Sequence, residues 1–318
     1  MSVVDEVLDL NAKEAMLADQ LRQAGITPLV DDPMARHTSL KVGGPADVYL
    51  RAFTIDELCH CVGLARVQEV PYLILGRGSN VLVSDRGIRG CVIENRCQRH
   101  RIEVADDGGL AVLSAESGAS LPALAHLTAH AGWAGLEWAI GIPGSVGSVI
   151  VNNAGAHGGC IADVLRRVQV LSTDGTTTTW DVKDLGLTYR SSCLKGRHGA
   201  EVILSAEFAL TRASRTAISH RLAEFIEHRR RTQPTDPSLG SMFKNPPGDY
   251  AGRLIDRAGL KGTQVGGAMV SPVHANFFVN TGQSTAADFL ALIELVREAV
   301  RQRFGVELEL EIELVGEW

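Results

Sequence analysis

Gly141-Ile142-Pro143-Gly144-Ser145-Val146-Gly147-Ser148, followed by Asn152-Asn153-Ala154-Gly155-Ala156-His157-Gly158-Gly159, is the stretch on which the reading of this chain turns. Six glycines and two serines fall within nineteen positions. Such density suits a backbone that must approach a flat ring and a pyrophosphate, where a Cβ would collide with the ligand. The plainer alternative is a glycine-rich barrel corner. Working outward, a second loop, Gly76-Arg77-Gly78-Ser79-Asn80, follows the apolar run Tyr72-Leu73-Ile74-Leu75. Its N–H groups suit a phosphate. It is neither a P-loop nor a dinucleotide fingerprint, because no helix is expected after it. Further on, Gly240-Ser241-Met242-Phe243-Lys244-Asn245-Pro246 sets a hydroxyl, an ammonium and a carboxamide within a short loop. That loop is either a polar surface turn or a set of groups aimed at a small anionic or carbonyl-bearing molecule.

The bulk properties bound the possibilities. At 318 residues the chain is expected to form two or three domains. Hydrophobic and charged contents of 45% and 21% are ordinary for a globular protein. A net charge of −6 argues against a nucleic-acid groove. Arg229-Arg230-Arg231 is a local basic cluster, expected as a solvated helix end, with a phosphate clamp as the alternative. The uncharged run Trp138–Ala162 holds too many Gly, Asn and Pro residues to span a membrane, and residues 1–23 lack the pattern of a secretory signal. The six cysteines contain no Cys-x-x-Cys pair and are expected as free thiols in a reducing cytoplasm. His126 and His130 lack a third ligand, and Cys59-His60-Cys61 cannot converge on one ion, so no metal is expected.

Local signals give an outline. Thr54-Ile55-Asp56-Glu57 is a capping box for a helix to about Val67. A helix is expected from about Ser120 to Ala131, and Asp174-Gly175 marks a hairpin between strands near 164–171 and 176–180. Helices are expected near Arg215–Arg231, Tyr250–Ala258 and Ser284–Phe304. A change in composition puts a boundary at 214/215, with a subdomain boundary near 95–105. The alternation of Leu308, Leu310, Ile312 and Leu314 with Glu307, Glu309, Glu311 and Glu313 predicts a final half-buried strand.

Several stretches occur together in one order. They are Arg36-His37-Thr38-Ser39 with Gly43-Gly44-Pro45-Ala46-Asp47, the two glycine-rich loops, Tyr189-Arg190-Ser191-Ser192, Gly240–Pro246 and Leu308–Ile312. In this order the chain resembles the UDP-N-acetylenolpyruvoylglucosamine reductases, over roughly residues 30–318. The stretch between Arg190 and Arg229 is short, as in the shorter, type II branch. Cys160 and Leu310 depart from residues frequent in the family.

The resemblance implies an α+β protein. An FAD-binding region of the vanillyl-alcohol-oxidase/p-cresol-methylhydroxylase type, in two subdomains (1–214), would precede a C-terminal substrate domain (215–318). FAD contacts would fall on Gly76, Arg77, Gly78, Ser79 and Asn80. Others would fall on Gly141, Ile142, Pro143, Gly144, Ser145 and Gly147, and on Asn153 and Gly155. The proton donor falls on Ser241, the arginine on Arg190 and the glutamate on Glu311. Tyr189, Lys244, Asn245 and Asn276 would touch substrate. The implied reaction takes hydride from NADPH through FAD to the enolpyruvyl ether of a UDP-sugar, in peptidoglycan precursor synthesis. The expected protein is a cytoplasmic monomer that binds neither nucleic acid nor membrane. The alternative is an FAD-dependent oxidase of the same fold acting on an alcohol or sugar.

Overall fold

The computed structural model describes residues 3–106 and 108–318, with side chains from residue 12 onward. The chain divides into two compact units. The first comprises Met1–Leu29, Val48–Gly76 and Gly90–Arg229; the second comprises Val30–Asp47, Arg77–Arg89 and Arg230–Trp318. The expected boundary at 214/215 is displaced to Arg229/Arg230, inside the helix Arg215–Thr232. Two early segments also belong to the second unit, which local composition does not reveal.

The first unit holds two cores. In one, the helix Ile55–Val67 buries Leu58, Cys61, Val62 and Ala65. Its cap is the expected box: Thr54 Oγ1 accepts from Glu57 N at 3.2 Å, and Glu57 accepts from Thr54 N at 3.2 Å. The strands Tyr72–Leu75 and Ile88–Asn95 run parallel beside it, with Tyr72 opposite Cys91 and Leu75 opposite Glu94. In the other core, strands pair antiparallel in the order Thr177–Asp181, Leu165–Leu171, Val202–Arg212, Leu110–Glu116, His100–Val104. One face of this sheet buries Ala111, Leu113, Ala115, Val168, Val170, Ala206 and Phe208 against the helix Leu121–Ala131, which supplies Leu121, Leu124 and Ala125. The expected hairpin closes at Asp174-Gly175, where Gly175 has φ +86° and Asp174 accepts from Thr176 N at 2.9 Å.

The second unit is an antiparallel sheet in the order Ser238–Ser241, Phe277–Asn280, Ala268–Val270, Gln264–Val265. It shares a core with the helix Ala286–Phe304, whose Phe289, Leu292, Ile293, Val296 and Val300 are fully buried. Their spacing of three, one, three and four is one helical face. Thr285 caps this helix through its side chain, and the carboxylate of Asp85 accepts from Ala286 N and Ala287 N at 2.8 and 2.9 Å. An acid at a helix N-terminus satisfies orphan donors and complements the dipole. Leu40, Val42 and Leu82 join the same core.

The terminal alternation forms less strand than expected. Only Glu313–Val315 is a strand, parallel to Val81–Val83. Leu308 and Ile312 are buried, but Leu314 is 36% exposed and Val315 takes the inward place. Residues 308–312 are held instead by a single bridge and flanking bonds to the Ser241 loop. No helix among the described residues is long and apolar enough to cross a membrane, and no cluster of three or more His, Cys, Asp or Glu residues there suits a metal.

Candidate active site

In the second unit the strand Ser238–Ser241 carries an irregularity between Ser238, opposite Val279, and Ser241, opposite Phe277. Gly240 sits there at φ +77°, a conformation that favours glycine. Beyond Ser241 the chain turns onto the C-terminal segment. Glu311 N donates to Met242 O, and Lys244 N donates to Glu309 O, both at 2.9 Å, while Phe243 bridges Leu310. Segments about seventy residues apart in sequence thus bring Ser241 and Glu311, both half-buried, onto neighbouring stretches of backbone.

A buried amide fixes that arrangement. Asn276 is 3% exposed; its Nδ2 donates to Phe243 O at 2.8 Å, its Oδ1 accepts from Phe243 N at 3.0 Å, and its carbonyl accepts from Met242 N at 2.7 Å. The side chain replaces a missing strand partner. Asn245 is likewise engaged, its Oδ1 accepting from Ala251 N at 3.1 Å at the start of the helix Ala251–Arg257. Lys244 Nζ lies 3.2 Å from the Glu309 carboxylate. Of the expected substrate contacts in this unit, two amides therefore support the loop and the ammonium holds an acid partner.

The loop Gly76–Asn80 is anchored at its centre. Gly78 has φ +60°, and a Cβ there would stand 2.1 Å from His37 O; Ser39 N donates to Gly78 O at 2.9 Å. Among the described residues, no protein acceptor takes the N–H groups of Arg77 or Gly78. Two consecutive open donors with a left-handed glycine form a concavity suited to an anion. Asn80 faces the other way in part, its Nδ2 donating to Glu311 O at 3.4 Å and its carbonyl accepting from Glu313 N at 2.9 Å.

In the first unit the long glycine-rich stretch folds on itself. A Cβ at Gly144 would meet Val149 at 2.4 Å, at Gly155 the Gly159 carbonyl at 2.6 Å, and at Gly159 the Trp138 ring at 2.6 Å. Gly76 is pressed against Ser145, 2.4 Å from a built Cβ to Oγ, and Gly147 N donates to Ser117 O at 2.8 Å. These close approaches are to the protein itself. Ser145 caps the short helix Val146–Val151 with Ser148. Ile142 packs on the core beneath, and Pro143 is exposed.

Arg190 lies on a tight turn in which Thr188 and Ser191 exchange backbone bonds of 3.0 and 3.2 Å, with Arg190 at φ +55°. Asn153, buried and at φ +39°, holds the turn by donating to Thr188 O at 2.8 Å and accepting from Ala162 N at 3.2 Å. Lys195 Nζ donates to Arg190 O at 3.1 Å. Arg190 Nη2 donates to Gly155 O at 2.7 Å, and its guanidinium lies 5.6 Å over the Tyr189 ring. Arg190 is thus aimed into the glycine-rich stretch, with Tyr189 56% exposed beside it. Arg190 belongs to the first unit; Ser241 and Glu311 belong to the second.

The supports from Asn153, Lys195 and Asn276 had no sequence signal that separates them from ligand contacts. Nor did the pairing of Glu309 with Lys244.

The comparisons with known proteins bear on this arrangement. The FAD binding domain model matches residues 46–181, and the UDP-N-acetylenolpyruvoylglucosamine reductase C-terminal domain model matches 232–315. A UDP-N-acetylenolpyruvoylglucosamine reductase of Chloroflexus aggregans is 45% identical over 294 residues, 91% of this chain and 98% of that protein. The chain belongs to the UDP-N-acetylenolpyruvoylglucosamine reductase family. Another relative with the family name, from Rubrobacter xylanophilus, is 47% identical over 287 residues, 90% of this chain and 95% of its own. The crystal structure of the reductase from Thermus caldophilus superposes with a TM-score of 0.75 at 37% identity, covering 91% of this chain and 98% of that one. The architecture implied by the resemblance, an FAD-binding region followed by a reductase C-terminal domain in an α+β protein, is therefore the architecture of the chain.

Proposed function

We propose that the protein reduces UDP-N-acetyl-3-O-(1-carboxyvinyl)glucosamine to UDP-N-acetylmuramate with electrons from NADPH, as a cytoplasmic, monomeric step of peptidoglycan precursor synthesis. The observation that carries the reading is the pairing of the Ser241 loop with the Glu311 segment in a chain of this family. The residues present fit FAD: open N–H groups at Arg77 and Gly78 suit a pyrophosphate, and the glycine-rich stretch lies within the matched FAD-binding region. FAD, when bound, supplies the two-electron carrier between the nicotinamide and the alkene. All six cysteines are free thiols, in keeping with a reducing compartment.

The chemistry asks three things of the protein. Hydride arrives at the terminal alkene carbon, negative charge moves toward the carboxylate, and a proton must then reach the carbon between them. Arg190 grips the carboxylate and stabilises the charge, since a guanidinium offers two parallel donors and stays ionised. Ser241 delivers the proton to the carbon alpha to the carboxylate. Lys244 or a water then restores the serine proton. Glu311 works protonated or through a water, because an ionised carboxylate beside the developing charge would be repulsive. Tyr189 and Lys244 are the remaining polar candidates for the nucleotide part of the substrate.

The test is the visible spectrum of the purified Ser241→Ala variant. NADPH should bleach it as it bleaches the parent, and the enolpyruvyl substrate should then restore the colour far more slowly, with turnover lower by about 10²–10⁴. Normal recovery would remove Ser241 from the mechanism. A parent protein that is colourless, or that NADPH leaves oxidised while a sugar bleaches it, would overturn the reductase reading itself.

A further inference from the structure

Several guanidinium groups here have an acid beside them. Arg51 and Arg96 meet Glu94, Arg167 meets Glu207, and Arg221, on the helix Arg215–Thr232, meets Glu137 at 3.0 Å. Two turns further along that helix Arg229 differs. It is half-buried, yet among the described residues its side chain makes no hydrogen bond or ion pair. Its side chain packs against Gly141: a Cβ there would stand 2.1, 2.2 and 2.7 Å from Arg229 Cδ, Nε and Cζ. The absence of a side chain at the first position of the glycine-rich loop is thus what admits Arg229.

The ring neighbours supply no negative charge. His157, at φ +53°, stacks on Phe225 with centroids 4.2 Å apart and meets His228 edge-on at 5.4 Å. Burial holds the Arg229 guanidinium below its ordinary value. Burial, then His228 and Arg229 themselves, do the same to His157. A desolvated cation with no counter-ion destabilises a fold, so its retention points to an anion that arrives from outside.

We propose that Arg229 is a cofactor-contact residue whose guanidinium is the counter-ion for an anionic part of the flavin nucleotide held by the Gly141–Gly147 loop. This inference rests on the FAD reading above. The flavin nucleotide has two anionic parts: the pyrophosphate, charged in both redox states, and the isoalloxazine ring, charged only after reduction. Either source gives the same counter-ion chemistry, and the two leave different marks.

The test uses Arg229→Met, which keeps bulk and removes charge, and Arg229→Lys, which keeps charge and loses the fork. Melting temperatures of the apoproteins, FAD affinity on reconstitution and the midpoint potential by dye equilibration are measured for each. Relief of the uncompensated charge should raise the melting temperature of the Arg229→Met apoprotein while FAD binding weakens. A pyrophosphate contact weakens both redox forms about tenfold or more and leaves the potential in place. A ring contact leaves the oxidised form bound as before and weakens the reduced form about tenfold, lowering the potential by about 30 mV. Arg229→Lys should fall between parent and Arg229→Met. FAD affinity and potential both unchanged in Arg229→Met would overturn the inference. Should that variant fail to fold, an Arg229→Lys protein matching the parent in both readouts would overturn it too. A parent that binds no FAD would instead remove the cofactor reading on which it rests.

Discussion

The turn that carries Arg190 and the loop that carries Ser241 are both short, irregular segments held in a fixed shape, and they are held by different means. The Arg190 turn leans on a distributed packing. Glycines at 144, 155 and 159 let backbone and side chains close to within a Cβ's width, and Asn153, Lys195 and the Thr188–Ser191 exchange each contribute a bond. Beside its backbone bonds to 309–311, the Ser241 loop concentrates its buried side-chain support in one amide, Asn276, which satisfies both polar groups of Phe243 and, through its carbonyl, Met242. The difference teaches that the Ser241 loop is the more exposed of the two to a single lesion. A distributed scaffold loses one contact at a time; a single clamp leaves several buried groups unsatisfied at once.

Asn276→Ala breaks the comparison hardest. It strands the N–H and C=O of Phe243 in a buried place, at roughly 1–3 kcal/mol for each. Urea denaturation should show about 3 kcal/mol of lost stability, and the substrate-reoxidation step should slow more than reduction by NADPH. Asn276→Asp, which keeps the acceptor, should recover part of both. Equal effects on the two half-reactions would count against a role local to Ser241.

Asn153→Ala comes next, at about 1–2 kcal/mol, because only Thr188 O and Ala162 N lose a partner. Its kinetic effect should also fall on the substrate half-reaction, through Arg190, while the Ser241 loop keeps its shape. A loss as large as that of Asn276→Ala would contradict the distributed scaffold.

A third test uses acid. Burial, with Lys261 nearby, holds His274 below its ordinary pKa, and Asn276 N donates to His274 Nδ1 at 3.2 Å. The unfolded chain therefore binds the proton more readily than the native one. Stability from this group is complete above the unfolded value of about 6.5 and is lost as pH falls from there toward the folded pKa. His274→Gln should flatten the pH dependence of the melting temperature below about 6.5. A slope identical to that of the parent would remove His274 from the support of Asn276.

Glu309→Gln should do least. The Lys244–Glu309 pair is exposed on the acid's side, 76% for the Glu309 side chain, and such pairs contribute about 0–1 kcal/mol. The melting temperature should stay within the error of the parent. A large loss would show that the acid does more than hold a lysine at the surface.

Much of the fold was legible because its signals are local. The Thr54 capping box, the Asp174-Gly175 hairpin and the apolar face of Ala286–Phe304 are each written within a few turns of chain, and each forms as expected. The terminal alternation misled for a long-range reason: residues 308–312 bond to the Ser241 loop in place of pairing as a regular strand. At the candidate site the residue types were legible and their employment was not. An asparagine that clamps a backbone and one that grips a ligand present the same amide, so Asn153, Asn245 and Asn276 read alike from sequence. Glycine is ambiguous in the same way. Gly141, Gly144 and Gly159 read as clearance for a ligand, and in the structure their missing side chains make room for Arg229, Val149 and Trp138.

The path of the chain between its two units has a consequence for how such a protein can be cut or recombined. Four of the five crossings, at Leu29/Val30, Asp47/Val48, Arg89/Gly90 and Arg229/Arg230, fall inside a strand or a helix rather than in a linker. A fragment beginning at residue 215 would lack Leu40, Val42 and Leu82 from its core and the strand Val81–Val83 that pairs with its terminus. The C-terminal portion is therefore not a transplantable module: gene fusion or truncation at the apparent sequence border should yield an insoluble fragment, and reassembly would require the two N-terminal inserts to travel with it.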